Sequence, residues 1–283
     1  MRVIPFQIPK NSEEAFRVQV DKMPVFYPHL HQHPELQLTL IVQSEGTLIA
    51  GDYIGRFQSG DIFLIGANQP HVLRNDDTVH PETNAHSITV FFDEETLGRD
   101  FWLVPELKAL QSFWKNSGSG YRIKSDKNSP LANKIRQLPG ASGIDRLVLF
   151  VEILKCLTVK KDIVPLASVV LNKNIKSYDG ARLNKVLAFS FESLHRPVKL
   201  SEAAAVADLS QEAFCRYFKT RTRKTYTNFL QEIRISHACK LLGQTTDSIA
   251  SVSIDCGFQN LSHFNRVFKK IKGLSPGEYR RGS

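Results

Sequence analysis

A ten-residue pattern occurs twice in this 283-residue chain, fifty positions apart, and it constrains the fold more than any other feature. The first copy reads Ser210-Gln211-Glu212-Ala213-Phe214-Cys215-Arg216-Tyr217-Phe218-Lys219. The second reads Asn260-Leu261-Ser262-His263-Phe264-Asn265-Arg266-Val267-Phe268-Lys269. In each copy the two Phe are four residues apart, which on a helix puts them on one face, turned inward. The Arg and Lys, three apart, fall on a different face. Ser210 and Asn260 are favoured N-cap residues, so each copy starts a helix. A short amphipathic segment precedes each copy. The first is Leu200 to Ala207, whose small Ala203, Ala204 and Ala205 permit close packing. The second is Ile249 to Cys256, followed by Gly257 at the turn. A short helix, a tight turn and a capped second helix make a helix-turn-helix, whose second helix docks in the DNA major groove. One such pair is a weak signal, because helical hairpins are widespread; two in register are a strong one.

Charge points the same way. The formal net charge is +9, and residues 182–283 hold 17 Lys and Arg against 8 Asp and Glu, so the whole surplus lies there. A localised positive field attracts a polyanion such as duplex DNA. Charge alone leaves a merely basic soluble surface open. The four cysteines, Cys156, Cys215, Cys239 and Cys256, form no C-x-x-C pair. They read as reduced thiols, mostly buried on helices, and not as a zinc or redox motif. No run of apolar residues approaches the roughly 20 needed to span a bilayer, so a cytoplasmic protein without membrane contact is expected.

The segment from about residue 182 to 281 resembles the DNA-binding domain of the AraC/XylS family of regulators. The resemblance rests on Leu200-Ser201-Glu202-Ala203-Ala204, on Phe214 to Lys219 and on Ile233 to Leu242. In the second half it rests on Ile249-Ala250, Gly257-Phe258, Phe264 to Lys270 and Gly273-Leu274-Ser275-Pro276-Gly277-Glu278-Tyr279-Arg280-Arg281. It implies DNA binding, activation more than repression, and contact with RNA polymerase. Arg223 departs from the pattern: the family often has Gly there, as this chain does at Gly273, to close a helix in the left-handed conformation. Arg223 either strains that turn or adds a phosphate contact.

The expected DNA-facing residues are Gln211, Glu212, Cys215, Arg216, Lys219 and Arg223 in the first copy. In the second they are Leu261, Ser262, Asn265, Arg266 and Lys269. Arg reads guanine bidentately, Gln and Asn read adenine, and the lysines further along suit phosphates. The bland alternative for each is a solvated helix face. His263 stands where the resemblance implies an aromatic residue and so reads as a packing residue, and neither it nor His237 has a partner at zinc-ligand spacing.

Upstream, short strands alternate with turns. Leu36 to Ile41, Thr47 to Ala50, Ile62 to Ile65 and Ser87 to Phe92 are separated by Ser44-Glu45-Gly46, Gly51-Asp52, Ser59-Gly60-Asp61 and Gly66 to Pro70. That spacing suggests an antiparallel barrel or sandwich. If Pro28 to Gln37 is extended, His29, His31, His33, Glu35, Gln37 and Thr39 share one face, and Leu36, Leu38 and Leu40 the other. Together with Pro70-His71-Val72-Leu73-Arg74-Asn75, this stretch resembles the two motifs of the cupin barrel, which AraC-like regulators often use as a sensor. The resemblance makes His31, His33, Glu35, Gln37 and His71 the expected contacts of a small-molecule effector. It also leaves a divalent metal on His31, His33 and His71 as an alternative. Gln37 stands where the cupin pattern expects a carboxylate ligand, with Glu35 two residues early, so no cofactor is required.

Between the two regions the period becomes helical. Pro105-Glu106-Leu107 opens one helix. Ile144, Leu147, Val148, Val151, Leu154 and Leu157 form an apolar stripe that needs either the barrel or a second subunit as partner. The expected architecture is a multidomain α+β chain. It comprises a cupin-like β-barrel over 1–98, a helical connector and possible dimerisation region over 99–165, a linker over 166–181, and an all-α tandem helix-turn-helix domain over 182–283. The expected function is sequence-specific transcription regulation by a homodimer that senses a small molecule. A metal-dependent cupin enzyme with a helical C-terminal domain is the rival, although no P-loop, G-x-G-x-x-G or Ser-His-Asp arrangement supports catalysis.

Overall fold

The computed structural model describes residues 8, 14–76, 85–123, 126–158, 163–167 and 177–282. Two compact units divide the chain, with the boundary between Asn174 and Ile175. Among the described residues no helix is long and apolar enough to cross a membrane.

The first unit contains β1 (Arg17–Met23), β2 (Leu36–Gln43), β3 (Gly46–Ala50), β4 (Tyr53–Phe57), β5 (Ile62–Ile65), β6 (His71–Asn75) and β7 (Ala85–Phe92). These are followed by α1 (Lys108–Asn116), β8 (Tyr121–Ile123), α2 (Pro130–Gln137), α3 (Gly143–Leu157) and β9 (Ile163–Pro165). One antiparallel sheet has the order β1-β7-β2-β5-β8-β9 and a second has the order β4-β3-β6. Period-two alternation divides the larger sheet cleanly. Leu36, Leu38 and Leu40 of β2, with Ile88, Val90 and Phe92 of β7, pack on one face against Leu131, Ile135, Phe150 and Ile153 of the helices. The opposite face of the same strands carries Gln37 and Thr39, Ser87 and Thr89. Elsewhere, side chains of both sheets meet in an apolar cluster that includes Ile41, Leu48, Phe57, Phe63 and Ile65.

The expected barrel is open: among the described residues the two sheets do not close into one hydrogen-bonded cylinder. β2 ends in a register shift between Ile41 and Gln43, and Ser44 takes a φ of 127°. The chain therefore leaves the larger sheet before β3 begins. A single antiparallel bridge, His31 with His71, ties the segment before β2 to the smaller sheet.

The stripe on α3 is buried differently from expectation. Phe150, Ile153, Leu154 and Leu157 are the fully packed positions, whereas Ile144 is 79% exposed, Val148 50% and Leu147 39%. Phe150 stacks on Phe16 at 4.2 Å and meets Phe92 edge-on at 5.3 Å, which turns the helix away from Ile144 and Val148. The region read as a helical connector also gives two strands, β8 and β9, to the larger sheet. Each has three residues, too few to show a period-two pattern. The stretch read as a linker is partly ordered at both ends. Leu166 and Ala167 donate to the carbonyls of Gly120 and Ser119, and Tyr178-Asp179-Gly180 lie within a helix. Asn172-Lys173-Asn174 lie outside the described residues.

The second unit is all helix: α4 (Ser177–Glu192), α5 (Leu200–Val206), α6 (Gln211–Thr222), α7 (Tyr226–Gln244), α8 (Ile249–Asp255), α9 (Leu261–Lys272) and α10 (Pro276–Arg281). Side-chain oxygens of Ser210, Thr225, Ser248, Asn260 and Ser275 accept from backbone N–H groups in the first turns of α6 to α10. Such caps are worth roughly 1 kcal/mol each. α7 is buried nearly all round and gives Ile235, Ala238, Cys239 and Leu242 to a cluster with Val252, Cys256, Phe264 and Phe268.

Candidate nucleic-acid interface and sensor cavity

In each repeat two buried Phe anchor the helix and leave its polar residues outside. Phe214, Phe218, Phe264 and Phe268 are all 0% exposed, with ring centroids 5.6 Å apart in α6 and 5.7 Å in α9. Tyr226 packs edge-on against both rings of the first pair at 5.3 Å, and Tyr279 against Phe268 at 5.6 Å. Full burial of each Phe stabilises by roughly 1.5–3 kcal/mol. With that face locked inward, Gln211, Glu212, Cys215, Arg216 and Lys219 of α6 are all exposed. So are Leu261, Ser262, Asn265, Arg266 and Lys269 of α9. Arg223, also exposed, follows α6 as its left-handed cap, with φ 60° and ψ 7°. His263 packs edge-on against Phe258 at 5.8 Å, and His237 is half-buried.

Electrostatics separate the two faces. The Glu212 carboxyl is held below the usual carboxylate range by its own backbone N–H, then by the Ser210 hydroxyl, with Arg216 one turn on adding to the effect. The first reading head therefore carries an anion at its tip. In α9 no acidic residue occurs in the first turn, and Lys269, Lys270 and Lys272 crowd the last.

Sequence reasoning passed over Arg234. This α7 side chain is buried, donating from Nε to the carbonyl of Leu194 at 2.9 Å and from Nη2 to that of Arg196. It thereby holds the segment after α4 against the turn between α8 and α9, where its guanidinium lies 5.7 Å from the Phe258 ring. Gly257 makes room for this contact. Its φ is 72°, and a Cβ there would lie 2.4 Å from the Leu194 carbonyl oxygen and 2.9 Å from Arg234 Nη2. The visible signal was a cation flanked on both sides by isoleucine, Ile233 and Ile235. Tyr217 was also missed: Arg182 and Arg221 lie over its ring at 5.7 and 6.0 Å, beside the exposed face of α6.

In the first unit the polar face of the larger sheet borders a cavity of about 220 Å³. His31, His33, His71 and Gln37 line it, joined by Gln19, Asp21, Ser87 and Thr89, with Tyr27 and Phe91 among the apolar walls. Each histidine directs Nδ1 at a backbone carbonyl: His31 to His29 at 2.9 Å, His33 to Glu35 at 3.0 Å and His71 to Gln69 at 2.8 Å. A carbonyl only accepts, so Nδ1 carries the ring proton. Burial lowers the pKa of all three, that of His31 to about 4, which leaves the rings neutral with Nε2 as an acceptor. The Gln37 amide lies 2.9 Å from Nε2 of His33 and 3.0 Å from Nε2 of His71, with Thr39 at 3.0 Å on its other side. Two unprotonated Nε2 atoms require a donor, so the amide turns its NH₂ to both rings and its oxygen to the Thr39 hydroxyl.

Glu35 touches this group only through His33: its backbone carbonyl accepts from His33 Nδ1, its carboxylate lies 3.6 Å from the same nitrogen, and its side chain also borders a separate small cleft with Arg17 and Asp93. Among the described residues no three or more His, Cys, Asp or Glu side chains are placed to hold a metal ion. A metal there would also compete with the Gln37 amide for two of the three Nε2 atoms.

Comparison with known proteins reports on both regions. Residues 203–282 match the model of a helix-turn-helix domain. The chain is 25% identical over 264 residues to the HTH-type transcriptional activator RhaR of Klebsiella pneumoniae subsp. pneumoniae, covering 92% of this chain and 89% of that protein. The RhaR of Enterobacter sp. is 25% identical over 280 residues, covering 96% and 94%. The MmsAB operon regulatory protein of Pseudomonas aeruginosa is 33% identical over 99 residues, 35% of this chain and 32% of that protein.

Proposed function

We propose that this chain is an AraC-type helix-turn-helix transcriptional regulator, which reads a bipartite operator through α6 and α9 under the control of a small molecule in its histidine-lined cavity. The observation that carries this reading is the duplication itself: two capped helices, each locked by a buried Phe pair, each presenting an Arg one turn into an exposed polar face. Arg216 and Arg266 read guanine, Asn265 and Gln211 suit adenine, and Lys219 and Lys269 hold phosphates. The two helices enter successive major-groove segments about 34 Å apart.

The effector makes contacts with His31, His33, His71 and Gln37. Its differential affinity for two arrangements of the protein sets how the DNA-binding unit is presented. The relatives named as activators support activation, by contact with RNA polymerase in the cytoplasm. The exposed Ile144, Leu147 and Val148 of α3 support a homodimer. The test is selection of bound sequences from random duplex DNA by the full chain, followed by footprinting. Two short motifs spaced by one helical turn are expected, and binding without sequence preference would defeat the reading.

A further inference from the structure

The cavity in the first unit has a charge balance that discriminates among small molecules. Alternation along β1 turns Gln19 and Asp21 into it, beside Ser87 and Thr89 of the neighbouring β7. Asp21 Oδ1 accepts from Gln19 Nε2 at 2.8 Å, and Oδ2 from the Ser87 hydroxyl at 3.4 Å. Both donors are neutral. Among the described residues no Lys or Arg borders the cavity or pairs with Asp21. The adjacent cation, Lys22, belongs to the other face of the strand and is exposed beside His86.

We propose that the effector is a small organic cation, an amine protonated at neutral pH, whose ammonium group is held by Asp21 against the aromatic walls of the cavity. This rests on the reading of the cavity as the effector site. The chemistry around Asp21 is that of a cation host. The three imidazoles donate through Nδ1 to backbone carbonyls and two of them meet the Gln37 amide through Nε2, so none of them offers a ligand positive charge. Burial holds them neutral, His71 most deeply. Tyr27 and Phe91 add ring surfaces, and a ring face attracts a cation. A carboxylate or phosphate ligand would meet the Asp21 charge and, among the described residues, no Lys or Arg on the cavity wall. A cavity of about 220 Å³ has room for a short amine.

The test compares probes of one shape and three charges on the full chain by calorimetry. One series is butane-1,4-diamine, butane-1,4-diol and succinate; the other is 2-phenylethylamine, 2-phenylethanol and phenylacetate. At least one amine is expected to bind about tenfold or more tightly than its alcohol, with the carboxylates weaker still. Asp21→Asn, which removes the charge but keeps the shape, should lower that amine's affinity about tenfold or more, whereas Lys22→Gln should change it by less than about twofold. An alcohol or carboxylate that binds as well as its amine, an amine indifferent to Asp21→Asn, or no binding by any amine overturns the proposal. Operator affinity measured with each bound probe separates the two readings. An alcohol that alters DNA binding keeps the effector site and defeats the cation. An amine that binds through Asp21 without altering DNA binding keeps the cation site and defeats its regulatory role.

Discussion

Arg223 and Gly273, fifty residues apart, close the two reading helices with the same left-handed residue, at φ 60° and φ 79°. In both, the backbone N–H donates back to the Lys carbonyl four residues earlier, Lys219 and Lys269. Glycine adopts this conformation freely, but an arginine costs about 1 kcal/mol. Arg223→Gly is therefore expected to raise unfolding stability by about 1 kcal/mol, and Gly273→Ala to lower it similarly, although nothing lies within 4 Å of a Cβ at Gly273. Urea melts of the full chain measure both. If Arg223 also touches phosphate, Arg223→Gly should reduce the slope of log affinity against log salt by about 1.

The arginines and lysines of the two helices should fail differently. Arg216→Ala or Arg266→Ala is expected to cost roughly 1–3 kcal/mol at the operator and to relax base preference at one position. Lys219→Ala or Lys269→Ala should weaken all sequences alike and lower the salt slope. Titrations against operator and scrambled duplexes at three salt concentrations distinguish the cases. Unchanged operator affinity for both arginine variants would remove them from the interface.

Arg234 and Gly257 should behave as one unit. Arg234→Met leaves two carbonyls without a charged donor and is expected to cost about 2–3 kcal/mol. Gly257→Ala, which drives a methyl into the Leu194 carbonyl and the guanidinium, should cost at least as much. A double variant whose loss is well below the sum of the two would show the coupling.

The buried imidazoles give stability a defined pH dependence. Burial lowers the His31 pKa to about 4, and those of His33 and His71 shift the same way. Between that value and 6.5 the unfolded chain binds more protons than the folded one. Their contribution is therefore complete above about pH 6.5 and is lost as pH falls toward 4. For His31 the loss is at most about 3 kcal/mol. Melts between pH 7 and 4.5 should show His31→Gln flattening this dependence, and a variant as pH-sensitive as the parent would argue against it.

The exposed end of α3 bears on assembly. Ile144→Lys with Val148→Glu should leave the fold intact, because both side chains face outward, and should shift sedimentation from dimer to monomer. A parent chain that sediments as a monomer at micromolar concentration would remove this face from consideration.

Local information sufficed for the tandem helices. Caps at Ser210 and Asn260, Phe pairs four residues apart and the duplicated Arg and Lys are all written within a turn or two of chain, so the sequence by itself determined two amphipathic heads and their outward residues. It also determined the two-faced strand around Leu36 to Thr39, because alternation is a property of neighbours. What only the tertiary structure decided depends on residues far apart in the chain. Phe16 and Phe92 select which side of α3 is buried. The Leu194 and Arg196 carbonyls give buried Arg234 its partners 38 to 40 positions away. Pairing of β1 with β7 brings Asp21 to the cavity that His71 enters from the other sheet. A side chain's direction follows from its own backbone, but what it meets there is set by where the rest of the chain packs.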